Sequence, residues 1–375
     1  MRMKRNVIFS AGVFALFLCS TEPAYTQNNT RDEPVPIAPI APIDYEGWTN
    51  AYRLRNDVLE VVVIPEIGRI AHLGFRGEQN VLRLDETLHG QPARSEEAED
   101  EWRNFGGDWI WPVAQNHWPD FQDGDWPPSR ILDGVPWTGR AWRTEDESQY
   151  ALFSRDYGEP LHIRVTRTIR LDPTNSSISV RQRIERADAS TIPVTLWHLS
   201  QIKEPDHVVI PIEEDSRFPD GIALLKFDPP EPGVLKYCGN TLVYDAQRGD
   251  EHKLGSDSPR AWMAAQAGDI LIVARAQSNI TEGEYPEGGC TLQMYANRGL
   301  GYIELETLSV ERDLDVDDYI DNTLHLSLHR LDPVPDSRCA LAEQVQSILD
   351  EDPEPSAEID DVEQDKGSSE PETEP

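Results

Sequence analysis

The feature that most constrains the fold is a series of short apolar runs separated by clusters of Gly, Pro, Asp and Asn. The runs are VLEVVVIP, LHIRVTRTIRL, SISVRQRIE, PVTLWHLSQI, DILIVARAQ, GYIELETLSV and NTLHLSLHRL. Several alternate apolar and polar residues, which is typical of half-buried strands, and no long stretch with a helical period lies between them. About 290 residues (44–332) of this kind predict one large antiparallel β-sandwich, because a small immunoglobulin-type sandwich needs only about a hundred residues. The absence of a fixed-period repeat argues against a propeller or a solenoid.

The N-terminus predicts export. A basic stretch, MRMKRN, precedes the apolar run VIFSAGVFALFL, which is too short to span a bilayer comfortably. We therefore expect residues 1–26 to be a signal peptide and the mature protein to be periplasmic or secreted. Lipidation at Cys19 is the alternative, and it would supply the only contact with a membrane.

Composition marks both ends of the expected domain. Residues 27–43 form a Pro-rich leader, residues 44–332 the β-sandwich domain, and residues 333–375 an acidic, mostly disordered tail. Within that tail, ALAEQVQSIL predicts one short amphipathic helix.

Charge limits the partners. The chain has 34 Lys+Arg against 68 Asp+Glu, a formal charge of -34, which repels nucleic acid and anionic lipid. A small-molecule or glycan ligand without strong charge fits this excess better. The sequence indicates no cofactor, and no Cys or His cluster has the spacing of a metal site.

Three cysteines follow the leader. In an exported protein Cys238 and Cys290 are the natural disulfide pair within the domain, which would leave Cys339 unpaired.

An aromatic segment is the first candidate binding surface. Seven of the ten tryptophans lie within about forty residues, 102–142, and polar side chains are interspersed among them. Pyranose rings stack on indole, and planar amides and carboxylates pair with ring hydroxyls. We therefore expect Asp108, Trp109, Gln115, His117 and Trp118 to line a sugar cleft. The alternative is that part of these tryptophans are plain core.

Polar residues interrupt three otherwise apolar strand faces. Arg167 shares a face with large aliphatic residues, His198 lies on the face of Val194 and Leu196, and Glu304 and Glu306 point one way from their strand. The alternative for any one of these residues is a satisfied polar network or a solvent-facing strand, which is the commoner case. Three interruptions beside a Trp-rich segment favour a shared cleft.

Several stretches resemble the galactose-mutarotase-like proteins, which include the aldose 1-epimerases. IPEIGRIAHLGFRG resembles their early strand pair, IPVTLWHLSQI their histidine-bearing strand, and GYIELETLSVERDLDVDDYIDNTLHLSLHRL their closing segment. WRNFGGDWIWPVAQNHWP, WPPSRILDG and YIELETLS resemble more closely an uncharacterised branch of that superfamily. The resemblance spans about residues 50–330 and implies a large β-supersandwich that binds a sugar on an open concave face.

The resemblance also implies a chemistry. In the epimerases a glutamate removes the proton from the anomeric hydroxyl and a histidine donates one to the ring oxygen. His198 matches the acid and Glu306 the base, while Glu304 is placed to replace or tune Glu306. The chain departs from the pattern at RILDGVPWTGR, which lacks the family's earlier histidine, and His117 is the candidate to replace it.

Three functions follow as alternatives: an epimerase-like isomerase that uses His198 and Glu306, a non-catalytic glycan-binding protein, and a glycoside hydrolase or lyase. The last would need Asp108 to face Glu304 or Glu306.

Overall fold

The computed structural model describes residues 38–94, 102–277 and 283–351. The expected signal peptide, most of the Pro-rich leader and the acidic segment from residue 352 lie outside these residues. The strands of the described part are, in chain order, Ala38–Pro39 (β1), Ile43–Tyr45 (β2), Trp48–Arg55 (β3), Leu59–Ile64 (β4), Arg69–Phe75 (β5), Asp108–Trp111 (β6), Thr138–Arg143 (β7), Gln149–Tyr157 (β8), Ile163–Leu171 (β9), Ser177–Arg186 (β10), Trp197–Lys203 (β11), His207–Pro211 (β12), Ala223–Lys226 (β13), Leu235–Cys238 (β14), Thr241–Asp245 (β15), Glu251–Ser256 (β16), Trp262–Ala267 (β17), Ile270–Ala276 (β18), Leu292–Asn297 (β19), Tyr302–Leu308 (β20) and Tyr319–Arg330 (β21).

The helical elements are short apart from the last one. The α-helices are Pro286–Gly289 (α1) and Arg338–Glu351 (α2), and the 3-10 turns are Pro65–Ile67, Glu86–Leu88, Gln115–Asp120, Pro219–Gly221 and Arg298–Leu300. No helix in the described ranges is long and apolar enough to cross a membrane.

The strands form two large antiparallel sheets. One has ten strands in the order β13-β16-β19-β20-β11-β6-β5-β4-β3-β2, and the other has eleven in the order β1-β7-β8-β9-β10-β21-β18-β17-β12-β15-β14. The predicted all-β supersandwich is confirmed.

The core lies between the two sheets. Alternate residues of each strand point inward, so that Ile110 and Leu305 of the ten-stranded sheet and Ile169 and Val180 of the eleven-stranded sheet join one buried cluster. The residues between them on β6, β11 and β20 therefore point away from the eleven-stranded sheet. This second face is where the candidate site lies.

Helix α2 covers the opposite side of the molecule. Leu341, Ala342 and Val345 pack on Val209, Trp262 and their neighbours on the eleven-stranded sheet. The predicted amphipathic helix is present, and it buries apolar surface against the sheet.

The expected Cys238–Cys290 disulfide is wrong. Cys238 pairs with Cys339, at a Cα–Cα distance of 5.3 Å, and so ties α2 to β14. Cys290 is buried and free, beside Gly255 of the other sheet. Cys290 lies in the connection before β19 of the ten-stranded sheet, whereas Cys238 ends β14 of the eleven-stranded sheet. Burial raises the pKa of the Cys290 thiol to about 12.

Replacing both disulfide cysteines by serine (Cys238→Ser with Cys339→Ser) should lower the free energy of unfolding by about 2–5 kcal/mol, because the bond closes a loop of 101 residues. Hydrogen exchange should show that α2 loses protection first. Reductant should reproduce the loss in the wild type and add nothing in the double variant. Equal stability of oxidised wild type and double variant would contradict this role.

Candidate functional site

A cleft of about 380 Å³ lies on the face of the ten-stranded sheet that points away from the eleven-stranded sheet. Most of its lining is aromatic or charged. The lining residues are Trp102, Asn104, Trp111, Gln115, Trp126, Trp197, Lys226, Phe227, Glu251, Lys253, Tyr295, Tyr302 and Glu304.

Strand register builds the floor of the cleft. Glu304 of β20 lies opposite Gln201 of β11 on one side and Tyr295 of β19 on the other, and Tyr295 lies opposite Lys253 of β16. Residues directly opposite one another in an antiparallel sheet project from the same face. One row of side chains therefore crosses four strands beneath the cleft.

Interlocked indoles build one wall. Trp111 of β6 lies opposite Trp197 of β11, with ring centroids 4.9 Å apart, and Trp102 meets Trp126 edge to face at 5.0 Å. Trp126 is 50 % exposed and forms the rim. Edge-to-face pairs of this kind favour fixed ring positions, so the wall is a preformed surface.

Asp133 anchors this wall to the sheet. Its carboxylate accepts a hydrogen bond from Trp102 Nε1 at 2.9 Å and an ion-paired one from Arg69 Nη2 at 2.7 Å. The Arg69 guanidinium in turn stands 4.6 Å from the ring centroid of Trp109. The segment that carries Trp102 is therefore bound to a strand side chain by charge and by hydrogen bonding.

Two carboxylates lie next to each other on β20. Glu306 is buried and accepts hydrogen bonds from Trp197 Nε1 at 2.7 Å and from Lys253 Nζ at 3.3 Å. Glu304 lines the cleft, and burial together with the nearby Glu306 carboxylate raises its pKa to about 7. Glu304 is therefore poised to take up or release a proton near neutral pH.

Gln201 holds Glu304 in a defined orientation. Arg83 Nη1 donates to Gln201 Oε1 at 2.9 Å, so the amide NH2 group must face the other way. It donates to Glu304 Oε1 at 2.7 Å and to Asn104 Oδ1 at 3.0 Å. One oxygen of the Glu304 carboxyl is thus fixed by a relay that begins at Arg83.

His198 and Glu306, the acid and base that the resemblance implies, do not face each other across the cleft. His198 lies opposite Thr307, whereas Glu306 lies opposite Leu199, so the two side chains leave the sheet on opposite faces. His198 points into the core, where it is 1 % exposed.

Asp108 and Arg167 also lie in the core rather than in the cleft. Asp108 makes a buried ion pair with Arg167 of the other sheet, contacts His198 Nε2 and accepts a hydrogen bond from Ser200 Oγ at 2.6 Å. Burial favours the neutral acid, but His198 and Arg167 outweigh it and lower the pKa of Asp108. These residues form a buried polar network in the core, and Asp108 cannot face Glu304 or Glu306 as a hydrolase pair would require.

Only one of the remaining expected cleft residues lines the cleft. Gln115 lines the cleft, whereas Trp109 and Trp118 are fully buried and are not among its lining residues. His117 lies outside the cleft, where its ring nitrogens are 3.3 Å from Asp120 and 3.5 Å from Glu311.

Several cleft residues were not among those that the sequence singled out. They include Trp197, Lys226, Glu251, Tyr295 and Tyr302. Gln201, the buried residue that holds Glu304, was not singled out either. The alternation of WHLSQI contains the missing signal, since it puts Trp197 and Gln201 on one face and His198 and Ser200 on the other. Among the described residues, no group of three or more His, Cys, Asp or Glu is arranged to hold a metal ion.

Comparison with solved structures identifies the fold. A protein from Klebsiella pneumoniae that is assigned provisionally as an aldose 1-epimerase matches 82 % of this chain and 86 % of its own, with a TM-score of 0.51 and 11 % identity. A second such protein, from Escherichia coli K12, matches 75 % of this chain and 99 % of its own (TM-score 0.49, 12 % identity). A galactose mutarotase-like protein from Lactobacillus casei matches 74 % and 100 % (TM-score 0.49, 10 % identity).

No protein-family model matches the chain, and no curated protein matches it. At these identities the likeness to solved structures concerns the fold, which is that of the galactose-mutarotase-like proteins, as the sequence resemblance implies.

Gly106 is required where the chain enters β6. Its φ is 83°, and a Cβ there would lie 2.2 Å from the Arg83 carbonyl oxygen. Gly77 is the matched control, because its φ of 81° is similar but a Cβ there would meet nothing within 4 Å. Gly77→Ala should therefore cost only the left-handed strain of about 1–2 kcal/mol. Gly106→Ala should cost about 1–3 kcal/mol more because of the clash, or prevent folding. Urea unfolding compares them, and equal losses would contradict this packing.

The raised pKa of Glu304 makes stability depend on pH. Because the folded state favours the neutral acid, its contribution is fully present below the ordinary value of 4.5 and is lost as pH rises to about 7. Wild type should therefore lose stability relative to Glu304→Gln between these values, as measured by urea unfolding at each pH. Glu251→Gln, which removes a carboxylate from the cleft rim, should retain the wild-type decline. A constant difference between wild type and Glu304→Gln would refute the shift.

Proposed function

We propose that the protein binds a carbohydrate in this cleft and that Glu304 exchanges a proton with the bound sugar. The observation that supports this most directly is the position of a carboxyl with a pKa of about 7 in the wall of an aromatic cleft. Preformed pockets of about 300–1,000 Å³ with a few convergent polar groups are typical ligand sites. The sugar-related fold is consistent with the same ligand class.

The wall has the composition that a sugar ring requires. Trp126, which is 50 % exposed, and the half-buried Trp102 offer indole surface to the C–H face of a pyranose. Asn104 and Gln115 offer amides to its hydroxyls. Trp111, which lines the cleft, has its Nε1 buried without a hydrogen-bond partner among the described residues, and such atoms are normally satisfied by water or ligand.

The chemistry we propose is epimerase-like acid–base catalysis. Glu304, when ionised, removes a proton from the anomeric hydroxyl, and the Lys253 ammonium group, two strands away in the same row, donates toward the ring oxygen. The ring then opens and recloses with either configuration. Lys253 Nζ reaches to within 3.3 Å of Glu306, the neighbour of Glu304 on β20, so both groups meet the bound sugar on the same face of the sheet.

A non-catalytic glycan-binding protein is the second candidate. The observation that favours it is the inward orientation of His198, because the histidine of the epimerase pattern is then absent from the cleft. The tryptophan wall serves binding equally well in either case.

We also propose that the protein is exported. The signal-peptide pattern of residues 1–26 supports this, with lipidation at Cys19 as the alternative. The Cys238–Cys339 bond is consistent with an oxidising compartment such as the periplasm or the medium.

NMR measurement of mutarotation, together with calorimetric sugar binding, tests the proposal on Glu304→Gln. The wild type should accelerate mutarotation of at least one monosaccharide, with a rate that rises with pH through about 7 as Glu304 ionises. Glu304→Gln should lower kcat by about 10²–10⁴-fold while sugar binding remains, since general acid–base catalysis has that magnitude.

The control is Glu251→Gln, which should keep the rate within a few-fold because Glu251 lies at the rim, where it accepts a hydrogen bond from the Tyr295 hydroxyl at 2.8 Å. Binding without acceleration by the wild type would assign the second candidate. If no sugar binds, both candidates fail.

A further inference from the structure

Lysine is scarce in this chain, and the cleft concentrates it. The sequence has six lysines, and four of them, Lys203, Lys226, Lys236 and Lys253, lie in the described residues. Lys226 and Lys253 both line the cleft and lie directly opposite each other on β13 and β16. Like charges directly opposite in an antiparallel pair are destabilising, so this arrangement is costly unless an anion offsets it.

A β-bulge puts Lys226 on this face. Leu224 pairs with Leu254, and the register then shifts so that Lys226 pairs with Lys253. Without the extra residue, Lys226 would pair with His252, whose buried side chain belongs to the other face. Bulges of this kind re-aim a side chain, and here the cation is re-aimed into the cleft.

Phe227, the residue after Lys226, has an uncommon backbone conformation. Phe227 has φ of 70°, which is uncommon for a bulky side chain, and its ring lies on the cleft rim 6.1 Å from that of Tyr295. The backbone is therefore strained at the position that presents Lys226 and this ring together.

The two lysines differ in what neutralises them. Lys253 Nζ is 3.3 Å from Glu306 and stands 5.0 Å from the ring centroid of Trp197. Lys226 is exposed and has neither an ion pair nor a hydrogen bond within the described part of the chain. The other carboxylate nearby, Glu251, accepts its hydrogen bond from Tyr295.

From this geometry we infer that the cleft takes an acidic oligosaccharide, whose anionic group is bound at Lys226 beside Phe227. This inference rests on the proposed carbohydrate function and names the ligand class. Lys226 lies three strand spacings, or about 14 Å, from Glu304 along the row, so the ligand is longer than one sugar ring. The negative charge is kept at the β13 end, away from Glu304.

Calorimetric titration with matched trisaccharides tests this. The probes are trigalacturonic, triglucuronic and trimannuronic acids, each with its neutral methyl ester, and a sulfated trisaccharide. At least one anionic probe should bind about tenfold more tightly than its neutral counterpart, as expected for a hydrogen bond to a charged group, and the preference should weaken with salt. Whether the carboxylate or the sulfate probe shows the larger preference identifies the anionic group that the site binds.

Lys226→Gln should abolish the preference, measured as the ratio of the affinities for each acid and its neutral ester. The matched control is Lys236→Gln, which changes an exposed lysine on β14 of the other sheet and should keep the preference. Esters that bind as tightly as acids, or a preference that survives Lys226→Gln, would overturn the inference while the sugar-binding proposal stands. If no trisaccharide or monosaccharide binds at all, the proposed function itself fails.

Discussion

The buried ion pair between Asp108 and Arg167 is the contact on which the orientation of the site depends. It joins β6 of one sheet to β9 of the other, and both side chains are fully buried. Removing one partner of such a pair costs about 3–5 kcal/mol, because the other charge is left unpaired in the core. With Asp108 held inward, Trp109 and Trp111 are fixed on the opposite side of β6. His198 and Ser200 join Asp108 in the core, so their neighbours Trp197 and Gln201 point outward.

The same alternation separates two sets of polar residues that look alike in sequence. The inward set, around Asp108, is hydrogen bonded within itself and stabilises the contact between the sheets. The outward set, around Glu304, has an aromatic wall on one side and open space in front. Gln201 belongs to the outward set, where Arg83 fixes its amide and the amide fixes the carboxyl. The reactive group and its support therefore come from neighbouring strands of one sheet.

Much of the fold follows from the sequence because apolar alternation is a local property. VLEVVVIP, LHIRVTRTIRL and SISVRQRIE become β4, β9 and β10. The resemblance of IPEIGRIAHLGFRG and IPVTLWHLSQI to mutarotase-like proteins points to the fold of the solved structures. The Trp-rich segment does supply a wall of the cleft. Which face of β11 is inward was not predictable, since WHLSQI offers large or polar residues on both faces. The position of Lys226 in the cleft was not predictable either, because a one-residue bulge changes the face of every residue after it. Cysteine spacing says nothing about which sheet each cysteine joins, and so the disulfide was misassigned.

We propose that the ligand binds on the outward face, against the indoles of the wall. The most direct test is the indole N–H spectrum of ¹⁵N-labelled protein, titrated with the sugar that binds most tightly. We expect the signals of Trp102, Trp111, Trp126 and Trp197, which line the cleft, to shift on binding. Those of Trp48, Trp142 and Trp262, which pack in separate clusters, should stay in place. Saturable binding that shifts only the second group, and leaves the four cleft indoles unchanged, would contradict this proposal.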